Sequence, residues 1–376
     1  MKKQPTILLI TAGFGSGHNQ ASHALKHTFE EFGVGTIQIY DLYAEAYPYW
    51  NKAVQFLYRQ SFNIGSPLYK MFFYGMDRMY GTKALSWYLK LGEKTLDDIL
   101  EEKQPDIIIT TFPVATVPEW RRKTQKKFQI YTIVTDYCLH RTWVHSEIDR
   151  YYVATEEVKQ KVVQNGIPPE KIYVSGIPIR KEFEIEKNEA MLVSNQLQSD
   201  RKKLLIMAGA QGVVKNIKWI ATNILDRSNV QVMIVCGQNQ QLYKQLNKVQ
   251  AEYGERLKLF GYVENIHELY EMADVMITKP GGITLSETIA KQLPTILYKP
   301  IPGQEKENSL FFCKIGASVA VQEKEDVVRE SLHLLAHTNK LSEMRQALHR
   351  VHQKESAKQI AEDILQSFSQ RQLQIV

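Results

Sequence analysis

Short runs of aliphatic and β-branched residues recur along this 376-residue chain, and helical stretches separate them. The first half holds Thr6–Ile10, Thr36–Ile39, Asp106–Thr110, Ile130–Thr135, Arg150–Ala154 and Lys171–Val174. The second holds Lys203–Met207, Gln231–Cys236, Leu257–Phe260, Val275–Thr278, Thr295–Tyr298 and Ser318–Val321. Runs this short that end in Gly, Asp or Pro and alternate with helices predict βαβ units and parallel sheets. A polar stretch at 181–202 interrupts the alternation and reads as the connection between two halves. The expected fold is α/β: two doubly wound domains facing a cleft, with a helical tail at 351–376 packing back across them. Ligands in such sheets sit beyond the carboxyl ends of the strands, and the glycine turns at 13–17, 208–212 and 280–282 all fall there.

A hydrophobic content of 44% with 23% charged residues is ordinary for globular proteins, so each half can bury a core. The net charge of +6 suits an anionic partner without choosing among nucleotide, nucleic acid and acidic lipid. Cys138, Cys236 and Cys313 lie far apart with no C-x-x-C pair, which predicts a reduced compartment, no disulfide frame and no zinc ribbon. The amino terminus carries two lysines and a short apolar run, too brief for a signal-peptide core, and no apolar run reaches the roughly 18 residues of a membrane span. The expected location is the cytoplasmic side, with peripheral membrane contact only.

Residues 277–287 read ITKPGGITLSE: a strand end, a glycine turn and a helix start. The first amides of such a helix lack intrahelical partners and stand at the positive end of its dipole, which makes a seat for phosphate. Gly281, Gly282 and Thr284 form this seat. Glu287, one turn further, is placed to take two ribose hydroxyls. GQEKEN at 303–308 adds Gln304, Glu305 and Asn308, groups that read sugar hydroxyls. Phosphate, ribose and hexose together spell a nucleotide-sugar. The competing reading is a tight βα turn with an ordinary cap.

At the amino terminus the first strand runs into Gly13-Phe14-Gly15-Ser16-Gly17-His18. A dinucleotide fingerprint, G-x-G-x-x-G with Asp41 as ribose ligand, fails on spacing: the third glycine would fall on His18 or on Gln20. Gly15 and Gly17 let backbone approach a ligand, and His18 lands at a helix N-terminus, which favours a neutral imidazole able to accept a proton. His18 is the candidate general base; a capping or packing histidine is the alternative.

With both turns in hand, the chain resembles the bacterial processive diacylglycerol β-glucosyltransferases, relatives of the plant monogalactosyldiacylglycerol synthases and more distantly of the enzyme that makes lipid II. The resemblance runs through GxGSGH at 13–18, NIGSPLYKMFFYGMD at 63–77, PDIIITTFP at 105–113, VTDYCLHRTWVH at 134–145, GIPIR at 176–180, MAGAQGVVKN at 207–216 and the two C-terminal motifs. It implies a GT-B fold of two Rossmann-like domains, 1–180 holding the lipid acceptor and 200–350 holding UDP-glucose. By the same resemblance His18 is the base, and Gly209, Gln211 and Gly212 face the phosphates. Val263 meets the uracil through its backbone, Glu287 the ribose, and Gln304 and Glu305 the sugar. The implied reaction is inverting transfer of glucose to diacylglycerol and then to glucosyl-diacylglycerol, whose diglucosyl product anchors lipoteichoic acid. A UDP-galactose-dependent galactolipid synthase, or another nucleotide-sugar transferase on the same scaffold, is the alternative. No D-x-D pair occurs, so neither metal nor other cofactor is expected.

Aromatic residues crowd 43–91, among them Trp50, Phe72 and Phe73, interleaved with lysines and arginines. This reads as amphipathic helices at an anionic bilayer, with Arg121 and Arg122 in a second basic cluster. A helical insert packed on its own sheet is the competing reading. Nucleic acid is not an expected partner, since no aromatic platform motif accompanies the charge. Asp136, His140 and Trp143, past the fourth strand, are candidates for the acceptor side; a buried hydrogen-bonded loop is the equal alternative.

Overall fold

The structure, a computed structural model, describes residues 4–13, 16–47, 66–80, 82, 88–185, 201–208 and 216–375. The side chains of 16, 66–69, 72 and 374–375 lie outside that description. The chain divides into two compact units, one built of Met1–Lys181 with Gln353–Val376, the other of Glu182–His352.

The first unit contains strands β1 (Thr6–Thr11), β2 (Thr36–Asp41), β3 (Ile107–Thr110), β4 (Gln129–Ile133), β5 (Arg150–Val153) and β6 (Ile172–Val174). Its described helices are α1 (Ser16–Glu31), α2 (Leu42–Ala46), α3 (Ser66–Met79), α4 (Glu93–Lys103), α5 (Thr116–Thr124), α6 (Glu156–Gln164) and, from the end of the chain, α14 (Ser356–Ile375). The strands pair in parallel in the order β2-β1-β3-β4-β5-β6. Successive side chains of a strand point to opposite faces, and both faces of this sheet are covered. Ile7, Leu9, Ile107 and Ile109 meet Leu25 and Phe29 of α1 and Ile360, Ile364 and Phe368 of α14. Leu8, Ile10 and Ile108 meet Leu42, Leu96, Val117 and Val158 on the other face. That is why the strands read as continuous apolar runs.

Helix α14 is fastened by a polar cluster as well. Arg150 Nη1 donates to Asp363 Oδ1 at 2.5 Å, and the Tyr152 hydroxyl donates to the same carboxylate. Gly176, of the GIPIR motif, has φ +78°, and a Cβ there would lie 2.6 Å from Ser356 Oγ and 2.9 Å from Gln353 Cβ. Only glycine lets the chain pass so close to the start of α14.

The second unit repeats the plan with β7 (Lys203–Met207), β8 (Gln231–Val235), β9 (Leu257–Phe260), β10 (Val275–Thr278), β11 (Thr295–Tyr298) and β12 (Ser318–Val321), in the order β12-β11-β10-β7-β8-β9. Its helices are α7 (Ile217–Arg227), α8 (Gln240–Tyr253), α9 (Ile266–Met272), α10 (Gly282–Ala290), α11 (Gln304–Lys314), α12 (Lys324–Ala336) and α13 (Thr338–Val351). Strand order reverses between β1 and β3 in the first sheet and between β7 and β10 in the second. Doubly wound sheets bind ligands at such reversals, beyond the strand carboxyl ends. No described helix is long and apolar enough to cross a membrane.

Candidate active site

The reversal in the first unit is bridged by His18. Strand β1 ends at Thr11, the glycine turn follows, and α1 carries His18 back across the end of β3. His18 is 8% exposed, and its Nδ1 lies 2.8 Å from the Thr111 carbonyl oxygen and 2.7 Å from Thr135 Oγ1. Thr111 Oγ1 is 2.8 Å from Ser22 Oγ, one helical turn along α1. Phe112 presents its ring edge-on at 5.0 Å between centroids, and Trp143 lies tilted at 6.4 Å. Burial pushes the imidazole down from 6.5 to about 4, against the opposing pull of the Thr111 carbonyl. The ring is therefore neutral throughout the physiological range, as a proton acceptor must be.

Asp41 is engaged elsewhere: its Oδ2 accepts from Gly13 N at 2.7 Å and its Oδ1 from Ala44 N at 2.9 Å. It ties the glycine turn to the cap of α2, a structural job. Asp136 is buried just beyond β4, and Trp143 is buried beside the His18 ring. His140 has both nitrogens engaged: Nε2 donates to the Phe73 carbonyl at 2.9 Å, and Nδ1 accepts from Thr142 N at 3.3 Å. Burial lowers its basicity, opposed by the Phe73 carbonyl and Asp77.

His140 thus holds α3 against the loop after β4. Asp77 Oδ1 accepts from Arg141 N at 2.7 Å, and the Tyr80 hydroxyl donates to the Val144 carbonyl at 3.2 Å. The Phe73 ring packs on the His140 ring at 4.6 Å, so it serves this attachment. The exposed face of α3 carries Lys70, Met71, Arg78 and Met79, with Met71 69% exposed.

Of the two residues expected in a basic membrane cluster, Arg121 is turned inward, whereas the Arg122 side chain is 57% exposed. Arg121 is 13% exposed and bonds Asp149 Oδ2 at 2.5 Å and the Phe128 carbonyl at 3.0 Å, bracing the edge of β4. Arg122 donates from Nε and Nη2 to Glu119 Oε2 at 3.0 and 2.8 Å. The partner of Arg121 is distant in sequence and takes it out of a solvated rim, whereas Arg122 pairs with Glu119 on its own helix and stays in solvent.

In the second unit Gly281 caps α10 in extended conformation, φ −73° and ψ 140°, after β10 at the strand-order reversal. Gly282 opens the helix and Thr284 lies in its first turn. Glu287 is buried, and Tyr270 donates to its Oε2 at 3.2 Å. Gln304 opens α11 behind Gly303, whose φ is +96°. Glu305 Oε2 accepts from Ile301 N at 3.1 Å while Oε1 faces Lys279 Nζ at 3.9 Å. Burial raises the Glu305 carboxyl above its usual range, against the pull of Lys279. Asn308, fully buried, donates to the Pro280 carbonyl at 3.2 Å, joining the GQEKEN helix to the glycine turn. Val263 sits half-buried in the loop between β9 and α9. Both C-terminal motifs therefore converge at one strand-order reversal. Gly15, Gly209, Gln211, Gly212 and Trp50, and the Phe72 side chain, lie outside the described residues. Among the described residues, no group of three or more His, Cys, Asp or Glu is placed to hold a metal ion.

Comparison with known proteins agrees with this layout. Residues 18–179 match the monogalactosyldiacylglycerol synthase family, and residues 204–364 the glycosyltransferase family 28 C-terminal domain. Processive diacylglycerol beta-glucosyltransferases of Bacillus pumilus and Bacillus licheniformis are 44% and 43% identical over 97% of this chain and 96% of their own. The chain belongs to this family. It is a hexosyltransferase of the GT-B fold, with two Rossmann-like units. Among solved structures, MurG of Acinetobacter baumannii has a TM-score of 0.63 at 14% identity, covering 96% of this chain and all of that one. The UDP complex of Staphylococcus aureus MnaA also scores 0.63, at 13% identity with 96% of each chain covered.

The sequence reading had not singled out Thr111, Thr135, Ser22 or Tyr270. Thr111 and Thr135 follow the ends of β3 and β4, the same signal that drew attention to His18, but nothing in sequence says which strand ends become neighbours.

Proposed function

We propose that the chain transfers glucose from UDP-glucose to diacylglycerol, and then to the glucosyl-diacylglycerol so formed, with inversion at the anomeric carbon. The observation that carries this reading is His18: a buried, neutral imidazole fixed at the strand-order reversal of the first unit. In this mechanism His18 takes the proton of the acceptor hydroxyl as its oxygen attacks the anomeric carbon from the face opposite UDP. One displacement turns an α-linked donor into a β-linked product.

Charge developing on the leaving diphosphate meets the first amides of α10, aimed from Gly282 and Thr284, with Lys279 close by. Glu287, steadied by Tyr270, takes the ribose hydroxyls. Gln304 and Glu305 read the hexose, and the Val263 backbone meets the uracil. This arrangement neutralises the leaving group without a divalent ion. Beyond the first transfer, the glycolipid re-enters and its sugar hydroxyl becomes the acceptor. The diglucosyl product suits anchorage of lipoteichoic acid.

The acceptor carries two acyl chains and does not travel through water as a monomer, so the enzyme works at a membrane surface. Helix α3 supplies the contact, with Met71 and Met79 entering the interface and Lys70 and Arg78 meeting anionic headgroups at the cytoplasmic face. Its attachment through His140, Asp77 and Tyr80 places that contact beside the wall of the His18 site.

The test is one assay. Purified protein is incubated with UDP-glucose or UDP-galactose and diacylglycerol vesicles in EDTA, and the lipids are separated. β-Glucosyl-diacylglycerol is the expected product. No lipid product with either donor would refute the reading, a galactolipid would move it to the alternative donor, and product formed only after a divalent ion is restored would refute metal independence. His18→Ala is expected to stop turnover while UDP still binds.

A further inference from the structure

We propose that Thr135 is a positioning residue for His18: with the Thr111 carbonyl it keeps the proton on Nδ1, so that the ring presents a bare Nε2 to the acceptor hydroxyl. The proposal rests on reading His18 as the base.

The geometry is decisive because a carbonyl oxygen has lone pairs and no proton. With His18 Nδ1 2.8 Å from the Thr111 oxygen, a bare Nδ1 would set two lone pairs against each other at hydrogen-bond distance. Nδ1 therefore carries the hydrogen. Thr135 Oγ1, 2.7 Å from the same nitrogen, accepts from it too, while its own hydroxyl hydrogen has the Thr111 oxygen 3.4 Å away. Ser22 engages the Thr111 hydroxyl, so the residue that supplies the carbonyl is held from both its backbone and its side chain. Phe112 and Trp143 wall the ring with aromatic carbon. Every described hydrogen bond of the His18 ring falls on Nδ1.

In the reaction the acceptor O–H bond breaks and its proton joins Nε2. The oxygen bonds the anomeric carbon, and UDP departs with the electron pair of the old glycosidic bond. The ring becomes an imidazolium, and the Nδ1–H shared between the Thr111 and Thr135 oxygens becomes charge-assisted, which strengthens that bond as positive charge develops. Thr135 thus contributes in two ways. Before proton transfer it accepts from the Nδ1–H that the Thr111 carbonyl fixes, and during transfer it shares the charge, in a pocket that otherwise resists that charge. The Thr111 carbonyl belongs to the backbone and survives any side-chain substitution, so Thr135 is the part open to mutation.

The experiment compares Thr135→Val, which exchanges the hydroxyl for a methyl of similar shape, with Thr135→Ser, which retains it. We expect valine to lower kcat about tenfold, with KM for the nucleotide-sugar unchanged, and serine to restore kcat to within about twofold. In parallel, ¹⁵N NMR of the unmodified protein, with the His18 signals assigned by their loss in His18→Ala, is expected to show a protonated Nδ1 and a bare Nε2. Valine keeping kcat within about twofold, or a spectrum showing Nε2–H, would overturn the proposal. Should the valine protein not fold, Thr135→Ala against Thr135→Ser carries the same comparison, and Nε2–H in the unmodified protein overturns the proposal on its own. His18→Ala separates the two levels: if it turns over, the base assignment falls. If it is inactive while Thr135→Val is normal, only the role of Thr135 falls.

Discussion

His18→Gln offers a test of the site that needs no substrate. In the folded protein burial has moved this imidazole from 6.5 to about 4, while in the unfolded chain it returns to the ordinary value. Between those limits the unfolded state binds a proton that the folded state refuses. The stability difference is therefore intact above pH 6.5 and lost progressively as pH falls toward 4. At pH 7 the loss is about 0.2 kcal/mol; at pH 5 it reaches about 2 kcal/mol. Glutamine removes the titration and leaves the rest of the protein in place. Burial lowers the basicity of His140 and His145 as well, but both are present in either protein and cancel in the comparison. The assay is thermal unfolding at pH 7 and pH 5 in a Trp219→Phe background, so that the remaining tryptophans, all in the first unit, report. Unmodified His18 should cost the first unit a further drop of about 4–8 °C between the two pH values, relative to glutamine. Equal drops would mean that His18 titrates as it does in water, and the buried neutral base would be refuted.

The remaining outcomes are as concrete. Glu287→Ala is expected to weaken UDP binding by about ten- to a hundredfold, measured by calorimetry, since a buried carboxylate accepting two hydroxyls is worth about 1.5–3 kcal/mol; unchanged affinity would show the ribose to lie elsewhere. Met71→Asp with Met79→Asp should reduce sedimentation with anionic vesicles several-fold without lowering the melting temperature, because both side chains are exposed; unchanged binding would remove α3 from the membrane contact. Asp363→Asn should destabilise the first unit by about 2 kcal/mol in urea unfolding by weakening the Arg150 and Tyr152 bonds to α14; an unchanged midpoint would show these bonds to be net neutral.

The strands were legible because parallel sheets bury both faces, and an uninterrupted run such as Ile107–Ile109 has few other uses. Five strands of the second unit have the boundaries read in sequence, and the other seven strands differ by one or two residues, β4 starting at Gln129 and ending at Ile133. The glycine turns were legible for a backbone reason, and His18 was conspicuous beside one of them. Thr135 was not, since a threonine after a strand is common; its meaning comes from the adjacency of β1, β3 and β4, which is a property of the sheet. Arg121 misled for the same reason in reverse: charge that looked free in the sequence is matched by Asp149, 28 positions away. Phe73 looked like a membrane anchor because aromatic density alone does not say which face of a helix it occupies. Its ring packs edge-on against His140, and the outward positions belong to the methionines on either side.

The helix that closes the first unit is made only after the whole of the second unit. Until residues 356–375 leave the ribosome, one flank of the amino-terminal sheet is only half roofed, with Ile7, Leu9, Ile107 and Ile109 short of the partners that Ile360 and Ile364 provide. The second unit, contiguous from Glu182 to His352, has all its parts before then. Synthesis thus delivers the later unit complete while the earlier one waits, and a nascent chain stalled before residue 356 exposes a greasy sheet to whatever chaperone or neighbour is nearest.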